Sequence, residues 1–167
     1  MWLAEEAAPF IKDDDKMCML GSWYGVLAYI LRQHRVNCLI DSVDSDPMAH
    51  DIARKIVNGT AGERGYYNED AVGHYMSRRK YYNVICSTST EHFEPDEWEL
   101  LAEARKELPC LFIAQSNNNT VENEHINCHE TAADLAESMQ ISDIYYMDSK
   151  EFKGVEGNYL RHLVIGK

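Results

Sequence analysis

The sequence predicts a three-layer α/β sandwich, a mostly parallel sheet with helices on both faces. Three observations carry this. Short apolar runs alternate with stretches whose apolar residues recur at i, i+3, i+4 and i+7, the spacing of one helix face. Those runs are nearly continuous, as in strands covered on both sides. The chain has 167 residues with 45% apolar and 26% charged, enough for one core and incompatible with disorder as the main state.

Residues 1–15 end in Lys12-Asp13-Asp14-Asp15 and are expected to form a flexible acidic N-terminal arm, ahead of a single domain over 16–167. The run Lys16–Leu20 predicts a strand and Gly21-Ser22 a tight turn. Trp23, Val26, Leu27, Ile30 and Leu31 then line one face of a helix capped by Ser22. Val36–Ile40 predicts a second strand ending at Asp41. Over 41–80 the periodicity is weak: Asp44-Ser45-Asp46-Pro47 predicts a turn, and Gly59, Gly62 and Gly65 a hairpin between Ile52–Val57 and Glu63–Tyr67. Tyr82–Cys86 predicts a strand. Pro95, with Asp96 and Glu97 in the first turn, opens a helix whose apolar face is Trp98, Leu101, Ala104 and Leu108 and which Pro109 stops. Cys110–Ala114 predicts a strand, Ala132–Met139 a helix, Ile144–Met147 a strand, and Leu160, Leu163 and Val164 a last helix.

Sixteen Lys plus Arg against 28 Asp plus Glu give a net charge of −12, which repels phosphate backbones and anionic lipid. Nucleic acid is therefore excluded as a partner, and a protein with a basic surface is favoured. One candidate docking face is the outer side of the Pro95–Leu108 helix, with Glu97, Glu99, Glu103, Arg105 and Lys106. Five cysteines, an odd number set in apolar runs, read as buried thiols of a reducing compartment. The N-terminus lacks the pattern of a signal peptide, and no apolar stretch approaches the roughly 18 residues that span a bilayer. A cytoplasmic chain without direct membrane insertion is expected, and Asn58-Gly59-Thr60 and Asn118-Asn119-Thr120 are then chance matches to a glycosylation pattern.

Ligands of an open parallel sheet bind beyond the carboxyl ends of its strands. After the first strand stands Gly21-Ser22-Trp23-Tyr24-Gly25-Val26-Leu27. Gly21 and Gly25 keep a loop-like frame, but Val26 and Leu27 stand where a phosphate-binding loop carries its Lys and its Ser or Thr. A charge-assisted hydrogen bond is worth about 1.5–3 kcal/mol, so the loop has lost its hold on a triphosphate.

From Tyr82 to Lys167 the chain resembles the second half of a small Ras-like GTPase, most of all the C-terminal GTPase domain of the mitochondrial Rho (Miro) proteins. Glu107-Leu108-Pro109-Cys110-Leu111-Phe112-Ile113-Ala114 is similar to the Pro-Cys-Leu-Ile-Val-Ala run before that family's guanine-recognition motif. Asp148-Ser149-Lys150 is placed like its Ser-Ala-Lys loop, and Asp70-Ala71-Val72-Gly73 like its Asp-x-x-Gly. The resemblance implies a vestigial nucleotide pocket of Gly21, Ser22, Gly25, Asp70, Gly73, Gln115, Asn118, Ser149 and Lys150. Where the family has Asn/Thr-Lys-x-Asp, this chain has Gln115-Ser116-Asn117-Asn118, and a neutral Asn118 reads guanine badly. The implied function is a pseudo-GTPase: an interaction scaffold with no catalytic residue, cofactor or metal, lying on the cytosolic face of an organelle if part of a longer anchored protein. The alternative within the same resemblance is a weak GTPase that binds GTP or GDP with magnesium.

Two other chemistries have residues to argue from. Cys18 before a helix and His162 near the C-terminus are in the order of a papain-like cysteine hydrolase, though Cys18 sits in an apolar run and no Asp or Asn follows His162. His125-x-x-Cys128-His129 offers three metal-ligand types but no second pair at zinc-finger spacing, and is expected to be a solvated loop.

Overall fold

The computed structural model describes residues 2–57, 63–108, 110–154 and 157–167. The elements are α1 (Trp2–Ala7), β1 (Lys16–Leu20), α2 (Val26–Gln33), β2 (Leu39–Asp44), α3 (Pro47–Val57), β3 (Glu63–Asn68), α4 (Ala71–Arg78), β4 (Val84–Ser87), α5 (Pro95–Glu107), β5 (Leu111–Asn117), α6 (Ala132–Ser138), β6 (Ile144–Lys153) and β7 (Asn158–Gly166). The strands order as β3-β2-β1-β4-β5-β7-β6. The three-layer α/β sandwich with a mostly parallel sheet is the architecture observed. The chain packs as two compact units, Met1–Cys86 and Ser87–Lys167.

In the first unit β1 pairs in parallel with β2, and β2 with β3. Met17, Cys18, Met19 and Leu20 are all buried, as a strand without alternation requires. β2 begins and ends later than predicted. Asp41, taken as its end, is a buried mid-strand residue whose Oδ2 accepts the Tyr82 hydroxyl at 2.7 Å. That hydroxyl in turn meets His74 Nε2 at 2.9 Å; since it donates to Asp41, the ring must donate to it. The predicted hairpin is instead α3 followed by β3; its turn at Gly59 and Gly62 lies outside the described residues. The buried stripe of α3 is Ala49 and Ala53 while Met48 and Ile56 are exposed, so the large apolar residues point the wrong way for a reading of periodicity. Trp2, Leu3, Ala4 and Ala7 are buried and Asp15 accepts from Lys12 N (2.7 Å) and Asn83 Nδ2 (2.6 Å). Much of the expected loose arm is thus packed.

In the second unit α5 opens as predicted, with Pro95 in its first turn and a reciprocal cap between Glu94 and Glu97. Trp98, Leu101 and Ala104 face inward, but so does Arg105. Its Nε donates to Met139 O at 2.9 Å and its guanidinium to Gln140 O, so it closes the end of α6 and leaves the proposed docking face. Pro109, read as the stop, lies outside the described residues. The last predicted helix is strand β7, antiparallel to both β5 and β6. His162 to Ile165 are all buried, and a short apolar run covered on both sides has the same pattern in a strand as in a helix.

His129 is buried in a closed network. Ser138 Oγ donates to Leu135 O (2.9 Å) and accepts from Trp98 Nε1 (2.9 Å), so it accepts from His129 Nε2 (2.9 Å) and leaves Nδ1 to take the Ser116 hydroxyl (2.9 Å). The ring is neutral in this arrangement. Burial holds both His129 and His162 below the usual imidazole range, and His162 adds to the shift at His129. A depressed folded pKa means that the unfolded chain binds the extra protons. Stability is complete above about pH 6.5 and falls as the pH drops below it, by up to about 1.4 kcal/mol per ring per pH unit. Urea midpoints at about pH 7.5 and pH 5 are expected to differ accordingly, and His129→Gln with His162→Gln to flatten that window.

All five cysteines are free; Cys18, Cys38, Cys86 and Cys110 are buried as expected, while Cys128 is half-buried, and burial pushes Cys86 up to about 12. No helix among the described residues is long and apolar enough to cross a membrane.

Candidate functional site

The carboxyl ends of the first three strands are stitched together. The loop after β1 holds Gly21 (φ 60°), Trp23 (φ 48°) and Gly25 (φ 68°) in left-handed backbone, a conformation that favours glycine and is strained for tryptophan. Gly25 N donates to Ser22 O at 2.9 Å and closes a tight turn. Ser22 N donates to Val43 O at 3.0 Å, and Trp23 N to Asp44 Oδ2 at 2.7 Å. Asp44 Oδ1 accepts from Asp46 N at 2.9 Å, and the Asp44 carbonyl from Asn68 Nδ2 at the end of β3 at 3.2 Å. The Gly25 N–H closes the turn rather than the Ser22 side chain, so α2 starts at Val26 and not at the predicted Ser22 cap.

A Cβ on Gly25 would stand 1.4 Å from the Tyr66 hydroxyl, so the bare glycine lets Tyr66 lie across the loop. Trp23 is 58% exposed and stacks on Tyr24 with centroids 3.9 Å apart. Asp46, Glu69 and Asp70 are exposed on the same strand-end loops. A hydrogen bond from His74, with help from Arg78, keeps the Glu69 carboxyl below its ordinary range. Residues 21–27 contain no basic side chain. The arrangement leaves hydrogen-bond acceptors and negative charge exposed at these strand ends.

The residues singled out in the sequence fall in both units. Gly21, Ser22 and Gly25 belong to this loop. Asp70 and Gly73 form a helix cap: Asp70 Oδ1 accepts from Gly73 N at 2.5 Å at the start of α4. Gln115, Asn118, Ser149 and Lys150 lie in the antiparallel part of the second unit. Gln115 pairs with Leu163. Asn118 N donates to Leu160 O (3.2 Å) and its Oδ1 accepts from Leu160 N (2.8 Å), so its side chain extends the ladder. Ser149 Oγ meets His162 Nδ1 at 2.7 Å, and Lys150 pairs across from Arg161. These are sheet contacts, and the guanine-reading arrangement is absent from them.

Cys18 is buried mid-strand, and burial with Asp41 nearby raises its pKa far above the ordinary thiol range, the opposite of an activated nucleophile. His162 is engaged by Ser149 in the second unit. Of the histidine–cysteine loop, His129 has both nitrogens in the serine network and Cys128 Sγ contacts Asn119 O at 3.5 Å. The residues that the sequence reading missed are Asp44, Trp23 and Tyr66. For Asp44 a signal existed: an acidic residue at the end of the second strand, 23 positions after Gly21, is where a nucleoside-binding α/β fold places its ribose acceptor.

No family model and no curated protein matches the sequence. Solved structures share its fold. TehB from Haemophilus influenzae superposes with a TM-score of 0.74 at 12% identity over 100% of this chain and 62% of its own. The N-methyltransferase NodS from Bradyrhizobium japonicum does so at 0.70 and 9% identity, over 99% and 92%, and it has also been solved with S-adenosyl-L-homocysteine. A SAM-dependent methyltransferase from Anabaena variabilis gives 0.68 at 15% identity, over 95% and 79%. The fold is the Rossmann-like α/β architecture that these solved structures share. At these identities the likeness shows the fold alone, and the chain spans less than two thirds of the length of TehB.

The neighbours overturn the resemblance to Ras-like and mitochondrial Rho GTPases, and with it the pseudo-GTPase, weak-GTPase and papain-like readings. Their consistent character as SAM-dependent methyltransferases also leaves the expectation of a fold without any cofactor unsupported. The GTPase resemblance arose because both folds alternate strand and helix with the same apolar runs; the antiparallel β7 separates this chain from the GTPase pattern.

Proposed function

We propose that this chain binds S-adenosylmethionine and is a SAM-dependent methyltransferase. One observation carries the reading: the glycine turn after β1 is tied through Trp23 N to the Asp44 carboxylate at 2.7 Å. It lies where the strand order reverses between β1 and β4, the ligand position of such sheets.

The residues fit this cofactor better than a triphosphate. S-adenosylmethionine has no phosphate and carries a sulfonium and an ammonium group, so a loop with Val26 and Leu27 in the places of the phosphate-binding Lys and hydroxyl has lost nothing it needs. Each Asp44 oxygen accepts one N–H and retains a lone pair for the two ribose hydroxyls. The acidic groups at Asp46, Glu69 and Asp70, within a chain of net charge −12, favour a cationic ligand. The exposed Trp23 ring offers a face for stacking. When bound, the cofactor supplies an electrophilic methyl group; the chain's own part is to hold the ribose at Asp44 and to shape the loop through Gly21, Gly25 and Tyr66.

Fluorescence tests this directly. Trp2 and Trp98 are buried and Trp23 is exposed, so titration with S-adenosyl-L-homocysteine is expected to change tryptophan emission saturably and Trp23→Phe to remove that change. An unchanged emission together with an unchanged melting temperature would count against the reading.

A further inference from the structure

The second unit contains a cavity of about 690 Å³ whose wall includes Glu91, His92, Asn117, His125, Tyr159 and Arg161. Three of these are metal-ligand types. One donor atom each from Glu91, His92 and His125 lies within 4.8 Å of the other two. We propose that these residues form a zinc-type divalent metal site with an open position toward the cavity, where an oxygen-donor ligand such as a carboxylate or alkoxide binds.

The protonation pattern is the first argument. His92 Nδ1 lies 3.1 Å from Glu124 O, and His125 Nδ1 2.7 Å from Asn119 O. A carbonyl only accepts, so both rings carry their proton on Nδ1 and present a lone pair at Nε2. Metal-binding imidazoles are fixed in this way by main-chain carbonyls. Glu91 supplies the second argument. It is 2% exposed, and its Oε1 accepts from Asn117 Nδ2 at 2.6 Å with Arg161 at 3.6 Å. Its Oε2 is buried and has no hydrogen-bond partner among the described residues, and an unsatisfied buried carboxylate oxygen is costly unless a cation meets it.

The site is also held in place before any ion arrives. Ile126 N and Asn127 N both donate to Glu91 O, at 2.9 and 3.0 Å, which pins the segment carrying His125 to the turn carrying Glu91 and His92. The two rings stand edge to face with centroids 4.9 Å apart. Zinc bonds of about 2.0–2.1 Å need donors roughly 3.4 Å apart, and two histidines with one carboxylate leave a fourth position free in catalytic zinc sites. The three donors, within 4.8 Å of one another, would draw together by up to about 1.4 Å on binding an ion. His125 is thus the one member of the His125-x-x-Cys128-His129 loop in the site; its partners come from the turn after β4.

The test uses the full chain and reads metal content. After loading with zinc and dialysis, about one ion per chain is expected to remain, and cobalt(II) in its place to show the visible bands of a four-coordinate nitrogen–oxygen site. His92→Ala and His125→Gln are each expected to weaken zinc binding by at least about 10-fold with an unchanged circular dichroism spectrum, while Cys128→Ser retains it. Because His92 is exposed, its variant folds even if a buried one does not. Retention of well under one zinc per chain would overturn the site. So would zinc that survives His92→Ala but is lost in Cys128→Ser.

Discussion

Gly25→Ala is expected to cost about 2–5 kcal/mol of stability. The backbone there is left-handed at φ 68°, which costs a side-chain-bearing residue about 1–2 kcal/mol. The new Cβ would also stand 1.4 Å from the Tyr66 hydroxyl and 2.4 Å from its ring carbon, so the half-buried ring must leave its place, at an overpacking cost of about 1–3 kcal/mol. Urea unfolding measures the sum. The double variant Gly25→Ala with Tyr66→Ala separates the two parts: with the ring gone the clash vanishes, and the backbone cost of Gly25→Ala alone should remain. If Gly25→Ala costs the same in both backgrounds, Tyr66 does not occupy the loop.

Asp44→Ala is expected to weaken binding of S-adenosyl-L-homocysteine by about 10–100-fold, from the loss of one charge-assisted contact worth about 1.5–3 kcal/mol. The carboxylate holds the loop through Trp23 N and the start of α3 through Asp46 N; in the proposed site its remaining lone pairs would accept from the ribose hydroxyls. Asp44→Asn divides these two roles, since the amide keeps an acceptor for one N–H but lacks the charge and the second acceptor. An intermediate loss of affinity is expected for it, with a modest fall in melting temperature because one of the two N–H groups loses its acceptor. Glu99→Gln on the exposed side of α5 should leave affinity unchanged. Equal affinity in all three variants would remove Asp44 from the site.

The fold class was legible because β1, β4 and β5 are fully covered strands, and their apolar runs Met17–Leu20, Val84–Cys86 and Leu111–Ala114 announce burial without ambiguity. Where legibility failed, small or polar residues did the packing. α3 presents Ala49 and Ala53 inward, and β2 buries Asp41 and Ser42, so neither shows the expected period. β7 fails for the opposite reason: its run of buried residues from His162 to Ile165 fits helix and strand equally. The site was half legible. Gly21 and Gly25 stood out, but a loop without cations was read as a phosphate site in decay. Asp44 is the correction: hidden in what looks like an ordinary Asp-Ser-Asp-Pro turn, it becomes significant only when parallel pairing of β1 with β2 places it beside the glycine loop.

Calorimetric titration of the full chain with S-adenosylmethionine, and separately with GTP and magnesium, tests the central claim most directly. The result expected is saturable uptake of the phosphate-free cation and no heat with the nucleotide. Binding of GTP, or silence toward S-adenosylmethionine at millimolar concentration, would contradict the account.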